Sequence, residues 1–134
     1  MFKLVKILNG RINQGEPVKL PTTAQESYSY GEALALSAGK VTKCGATSKP
    51  DCICCEDYSA PASDNRSIYV EPISPEMIFE VPVSASPSAL AVGSKVTLHS
   101  DAQSVTATTA NGVATVFDLM GASQANDKIL VRFQ

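Results

Sequence analysis

Short runs of Val, Ile, Thr, Tyr and Phe, cut every few residues by Gly, Pro, Asn, Asp or Ser, run through the whole chain, and no stripe of helical period competes with them. The pattern predicts strands over residues 2–7, 33–37, 40–43, 52–56, 68–72, 77–81, 95–98, 104–108, 113–119 and 129–133. Strands this short at this spacing predict an all-β fold, a compact single-domain barrel or sandwich of antiparallel strands. Gly39, after Ser37-Ala38, reads as the positive-φ residue of a tight turn into residues 40–43. Asn111-Gly112 reads as a hairpin turn joining residues 105–108 to 113–116. The one helical piece expected is a single turn, capped by Ser86, opened by Pro87 and ended near Leu90. Residues 17–30 and 58–67 show neither period and read as loops, the most mobile parts of the chain.

The organisation read from this pattern is an N-terminal arm or edge strand with a polar, glycine-bearing linker at residues 1–15, followed by a single domain at 16–134. Phe2, Lys3, Leu4, Val5 and Ile7 of that first segment are candidate contact residues for a neighbouring subunit, because an arm of this kind adds a strand to an exposed sheet edge. The alternative is an edge strand of the same domain.

Composition sharpens the picture. Charged residues make up 18% of the chain and hydrophobic ones 44%, against about 25% charged in an ordinary soluble domain. A surface so lightly charged favours association with a partner or with copies of itself. The net charge is −2 and the basic residues are scattered singly, which argues against direct nucleic-acid binding. Charge is nonetheless uneven: residues 1–49 hold seven Lys or Arg against Glu16, Glu26 and Glu32, whereas residues 50–80 hold seven acids against Arg66. The first residues carry lysines inside their apolar stretch and form no run long enough for a secretory core or a membrane span, so no membrane association is expected.

Four cysteines, Cys44, Cys52, Cys54 and Cys55, crowd into twelve positions. Three nearly contiguous cysteines make poor disulfide partners, and reduced thiols are expected. With His99 they offer soft ligands, but the second short-spaced pair of a zinc site is missing, and no metal or other cofactor is expected. On a strand, Cys52 and Cys54 fall on one face and Ile53 and Cys55 on the other, where buried cysteine behaves as a small hydrophobe. His99 is the one histidine, and neither a Cys–His pair nor a triad with Asp101 has a recognisable nucleophile setting around it. Ser100-Asp101 reads as a turn, and no catalytic residue is assigned.

From about Tyr28 onward, roughly three quarters of the chain, four stretches recur in order: Gly31 to Gly45 (Gly-Glu-Ala-Leu-Ala-Leu-Ser-Ala-Gly-Lys-Val-Thr-Lys-Cys-Gly), Ala91 to Leu98 (Ala-Val-Gly-Ser-Lys-Val-Thr-Leu), Gly112-Val113-Ala114, and Asp127 to Phe133 (Asp-Lys-Ile-Leu-Val-Arg-Phe). In this order and phrasing the chain resembles the capsid decoration, or cement, proteins of tailed phages and prophages. Cys52-Ile53-Cys54-Cys55 is richer in cysteine than the family pattern. The resemblance implies that Gly93 lies in a turn feeding a barrel strand. It implies a non-enzymatic virion protein, made in the bacterial host cytoplasm, that binds the major capsid protein on the outside of the head, as a homo-oligomer with a trimer favoured, and reinforces the shell against internal DNA pressure. A tail or baseplate component is the alternative structural reading, and a small cysteine-rich metal-binding module a further one.

Overall fold

The computed structural model of the protein describes residues 1–8, 17–63 and 66–134; the linker expected at residues 9–15 lies outside them. Among the described residues the regular structure is all β. In chain order the strands are β1 (Lys3–Ile7), β2 (Val18–Pro21), β3 (Ser27–Tyr28), β4 (Ala33–Ser37), β5 (Lys40–Lys43), β6 (Cys52–Cys54), β7 (Tyr58–Ser59), β8 (Ser67–Pro72), β9 (Met77–Pro82), β10 (Lys95–Val96), β11 (Ala114–Asp118) and β12 (Lys128–Phe133).

Two five-stranded sheets and one two-stranded ribbon result, every ladder antiparallel. The first sheet runs β1-β9-β12-β11-β10. Its alternation is plain in β12, where Ile129, Val131 and Phe133 are buried and the residues between them are not. Val105 bridges both Val83, beyond β9, and Leu98, beyond β10, so this sheet curls back on itself. The second sheet runs β2-β8-β6-β4-β5, and a bridge between Thr22 and Val41 joins its two outer strands. The β3-β7 ribbon adds Tyr28 to the core of this second sheet.

Successive residues of β4 and β6 point to opposite faces, so the second sheet is a wall shared by two cores. Ala33 and Ile53 enter the larger core with Phe79, Val81, Val116, Val131 and Phe133. Leu34, Cys52 and Cys54 enter the smaller one with Tyr28, Ile68 and Val70. The division of Cys52 and Cys54 from Ile53 is the one the strand alternation predicts.

Four local expectations are corrected. Residues 17–30 and 58–67 are not simply loops: they carry β2, β3, β7 and the start of β8. What fixes them is a set of polar side chains bonding backbone, which leaves no apolar period to read. Thr22 Oγ1 donates to the Arg66 carbonyl (2.8 Å), Thr23 Oγ1 donates to the Val41 carbonyl (2.8 Å), and the Tyr28 hydroxyl donates to the same Val41 carbonyl (2.8 Å) while accepting from the Thr23 N–H (2.8 Å). Second, residues 104–108 form no ladder with 113–116 across the Asn111-Gly112 turn. They lie instead beside residues 97–99, through Thr106 N–H to the Thr97 carbonyl (2.9 Å), Thr97 N–H to the Thr108 carbonyl (3.1 Å) and a bond between the two threonine hydroxyls (2.7 Å). Third, residues 86–90 make a turn closed by Leu90 N–H to the Pro87 carbonyl (2.8 Å), and Ser86 does not cap it but donates to the Ser123 carbonyl (3.3 Å).

The fourth correction concerns the first residues. Phe2 is 2% exposed, and its ring lies 6.3 Å from that of Phe79 and 5.5 Å from that of Phe133, themselves 5.8 Å apart. The Phe2 N–H donates to the Gly31 carbonyl (2.8 Å), and β1 continues as the outermost strand of the first sheet, paired with β9. Residues 2–7 are thus the edge strand of the same domain, one of the two readings the sequence offered, and what is corrected is Phe2, which is buried and leaves the set of candidate contact residues.

Candidate contact surface

One side of β1 pairs with β9, and among the described residues no strand pairs with the other. The register slips between Leu4 and Lys6, leaving Val5 as a bulge, with Lys3 opposite Glu80 and Lys6 opposite Ile78. Charged residues and a bulge on an edge strand oppose indiscriminate pairing with other chains. Of the candidate contact residues on β1, Lys3 and Val5 are exposed, and Leu4 and Ile7 are half-buried against the larger core. Along this segment Met1, Val5 and Leu8 are exposed, and Tyr30, next to the Gly31 that holds Phe2 at the start of the strand, is 56% exposed. Gly31, at φ 79°, is what lets Met1 lie so close: a Cβ there would meet the Met1 Cβ at 2.5 Å. The Tyr30 N–H is held by the Asp57 carboxylate at 2.7 Å. Of the four predicted turn residues, Gly39, Gly93 and Asn111 have φ of 76°, 91° and 58°, and Gly112 does not have a positive φ.

Between the open edge of β1 and the second sheet lies a cleft of about 150 Å3. Phe2 and Leu4 form one wall, Ile53 and Phe79 the floor, and Lys3, Tyr30 and Glu71 belong to its lining. Glu71 sits on β8 opposite Ile53 of β6, and its Oε1 is shielded from solvent with no hydrogen-bond partner. Burial pushes the Glu71 carboxyl above the usual carboxylate range. Nothing in the sequence marked Glu71: its neighbours in the cleft come from three distant segments.

A second carboxylate, Glu32, is 1% exposed. Its Oε2 accepts the Ser29 N–H at 2.9 Å, while Lys43 Nζ stands 3.5 Å from Oε1 at ion-pair range without a well-formed hydrogen bond. Burial raises the Glu32 carboxyl, and the Ser29 N–H and Lys43 offset this only in part.

A carboxyl whose folded-state pKa is raised binds its proton more tightly folded than unfolded. Its contribution therefore favours folding at acid pH and is lost as pH rises from the unfolded value through the folded one. Glu71 has only desolvation acting on it, so Glu71→Gln is expected to raise the melting temperature at pH 7, with the gain fading below about pH 4, where the wild-type carboxyl is protonated as well. Thermal unfolding followed by circular dichroism at the two pH values checks this, and equal or lower stability of the variant at pH 7 would count against it.

The cysteines are four free thiols. Burial pushes Cys44 to about 11, Cys52 to about 12 and Cys54 to about 11, and raises Cys55, which is only half-buried and also feels Glu71. Thiolate is the form that attacks electrophiles or binds metal, so three of these residues act as packing. With Ellman's reagent at pH 8 the folded protein is expected to show at most one prompt thiol, abolished by Cys55→Ser. Rapid reaction of two or more thiols before unfolding would contradict this. Among the described residues no three His, Cys, Asp or Glu side chains stand together as a metal site.

His99 and Asp101 do meet, at 3.3 Å, but in the wrong order for a triad. The Ser104 hydroxyl donates to the Asp101 carboxylate (3.0 Å) rather than to the imidazole, so the acid and not the base stands next to the hydroxyl. Burial pushes Asp101 up, but the Gln103 N–H, Ser104 and His99 outweigh it and hold the carboxyl below its ordinary value. This is a turn whose carboxylate fastens its own backbone, with Gln103 N–H at 2.8 Å.

No protein-family model and no curated protein matches the sequence. Among solved structures the chain is similar to the crystal structure of the head fiber gp8.5 N base of bacteriophage phi29, with a TM-score of 0.58 and 14% identity over 88% of this chain and 94% of that one. At that identity the likeness is one of fold, and the two chains share their all-β architecture over nearly their whole lengths.

Proposed function

We propose that this protein is a non-enzymatic structural component of a tailed-phage virion, borne in many copies on the outside of the head, where it binds the major capsid protein as a decoration or cement protein. The observation that carries the reading is the shared fold with a phage head fiber base over 94% of that chain's length. The order of the Gly31–Gly45, Ala91–Leu98 and Asp127–Phe133 stretches supports it independently, since it was legible without any structure. The physical properties suit the role. Exposed Met1, Val5 and Leu8 along the first strand, with Tyr30 beside its start, offer apolar surface for docking, and repetition of modest contacts over a symmetric shell multiplies them into high avidity. Assembly as a homo-oligomer, a trimer favoured, and synthesis in the host cytoplasm complete the reading.

The test is to mix the purified protein with empty heads of its parent phage and image them by electron microscopy. Regular extra density at symmetry-related positions is expected. Heads that stay bare beside folded protein, or density confined to tails, would overturn it in favour of a tail or baseplate component.

A further inference from the structure

We propose that the cleft beside β1 is a socket for one lysine side chain, carried on an extended segment of the coat subunit that lies along the open edge of β1. The partner's identity rests on the proposed function; the socket rests on the geometry.

The cleft, at about 150 Å3, has room for about five waters and falls below the roughly 300 Å3 at which small-molecule sites begin. Its scale is that of a single side chain. Phe2, Leu4, Ile53 and Phe79 contribute the apolar part of its lining beside polar groups, a mixture suited to a side chain with an apolar stem and a charged head. Glu71 gives it a carboxylate with one oxygen unpartnered, and the soft terminal torsion of a glutamate turns either oxygen to an arriving donor. Among the described residues no cation supplies that donor: Lys3, in the same lining, makes no ion pair with Glu71. A half-buried carboxylate with one oxygen shielded and without a partner weakens folding, and an incoming ammonium offsets that cost. A lysine fits better than an arginine, because a compact charge on a long stem enters a narrow hole that a planar guanidinium fork does not.

The stem arrives on a strand because, among the described residues, none pairs with the adjoining edge of β1, and backbone pairing along that edge positions alternate side chains over the cleft. A second copy of this chain is a poor occupant at the same edge, since pairing β1 with β1 would bring Lys3 and Lys6 of both copies together.

Two measurements test the proposal. The first is a 15N-HSQC titration with the blocked peptide Thr-Val-Lys-Val-Thr and its norleucine counterpart. Shifts are expected at Lys3, Leu4, Tyr30, Gly31, Ile53 and Glu71, at least tenfold weaker binding of the norleucine peptide, and loss of that preference in Glu71→Gln. No shifts at millimolar peptide, or equal binding of the two peptides, overturns the socket. The second compares wild-type protein and Glu71→Gln on heads, with the variant's fold confirmed by circular dichroism. At least a tenfold loss of affinity is expected, and equal occupancy overturns the inference while leaving the proposed function intact. Heads left bare by wild-type protein overturn the function and the partner, and the lysine preference is then decided by the peptide titration.

Discussion

Phe2→Ala is expected to destabilise the protein by about 3–5 kcal/mol, the range for truncating a fully buried phenylalanine. Three rings meet at this point, Phe2 lying 6.3 Å from Phe79 and 5.5 Å from Phe133, and the T-shaped contact with Phe79 adds to the loss of buried area. The neighbouring strand cannot close over the gap, because Phe79 is held by the β9-β12 ladder and Phe133 by the β11-β12 ladder. The contrast is Val5→Ala on the same strand, where a side chain 44% exposed at a bulge is expected to change stability by no more than about 0.5 kcal/mol. Urea unfolding of the two variants beside wild type separates the cases. Were residues 2–7 a free arm, Phe2→Ala would leave the midpoint where it was and act only on binding to heads.

The distance between arm and edge strand shows what the sequence carried and what it could not. β12 announces itself, since Ile129, Val131 and Phe133 alternate with residues that keep contact with water. β1 does not. Its bulge puts Leu4 and Ile7 toward the core with Val5 and Lys6 both outward, which breaks the period of two and makes an anchored strand look like a loose one. β2, β3 and β7 were missed for another reason. They are two to four residues long, and Thr22, Thr23 and Tyr28 hold them through hydroxyl bonds to backbone, which leaves no trace in a hydrophobic pattern. At Asn111-Gly112 the turn chemistry was readable but its partner was not, because residues 97–99 compete for 104–108 across the other turn, at Ser100-Asp101, at a similar separation. The cleft is the extreme case: Leu4, Tyr30, Ile53 and Glu71 converge only through tertiary structure, and a glutamate between Val70 and Pro72 gives no local sign of lacking a partner.

Gly112→Ala is expected to cost about 3 kcal/mol, at the upper end of what overpacking usually costs, although φ at Gly112 is not in the left-handed region. The cause is space. A Cβ at Gly112 would stand 2.4 Å from the Lys95 carbonyl carbon, 2.6 Å from the Val96 nitrogen and 2.7 Å from the Lys95 oxygen, all backbone atoms with no rotamer to change. That backbone is pinned on its far side. Lys95 and Val96 pair with Thr115 and Ala114, and the Val96 carbonyl accepts the Val113 N–H at 2.9 Å, so retreat of β10 from the new methyl breaks the β10-β11 ladder and disturbs Val96 in the larger core. Gly39→Ala is the matched control. Gly39 has φ 76° and open space around it, so alanine there meets only the left-handed penalty of about 1–2 kcal/mol. Denaturant unfolding should therefore rank Gly112→Ala as the more damaging, with the deficit at Gly112 relieved by no change in the turn sequence at Thr109-Ala110-Asn111. A smaller effect at Gly112 than at Gly39 would mean that β10 gives way freely, and that the first sheet is held from β11 and β12 alone.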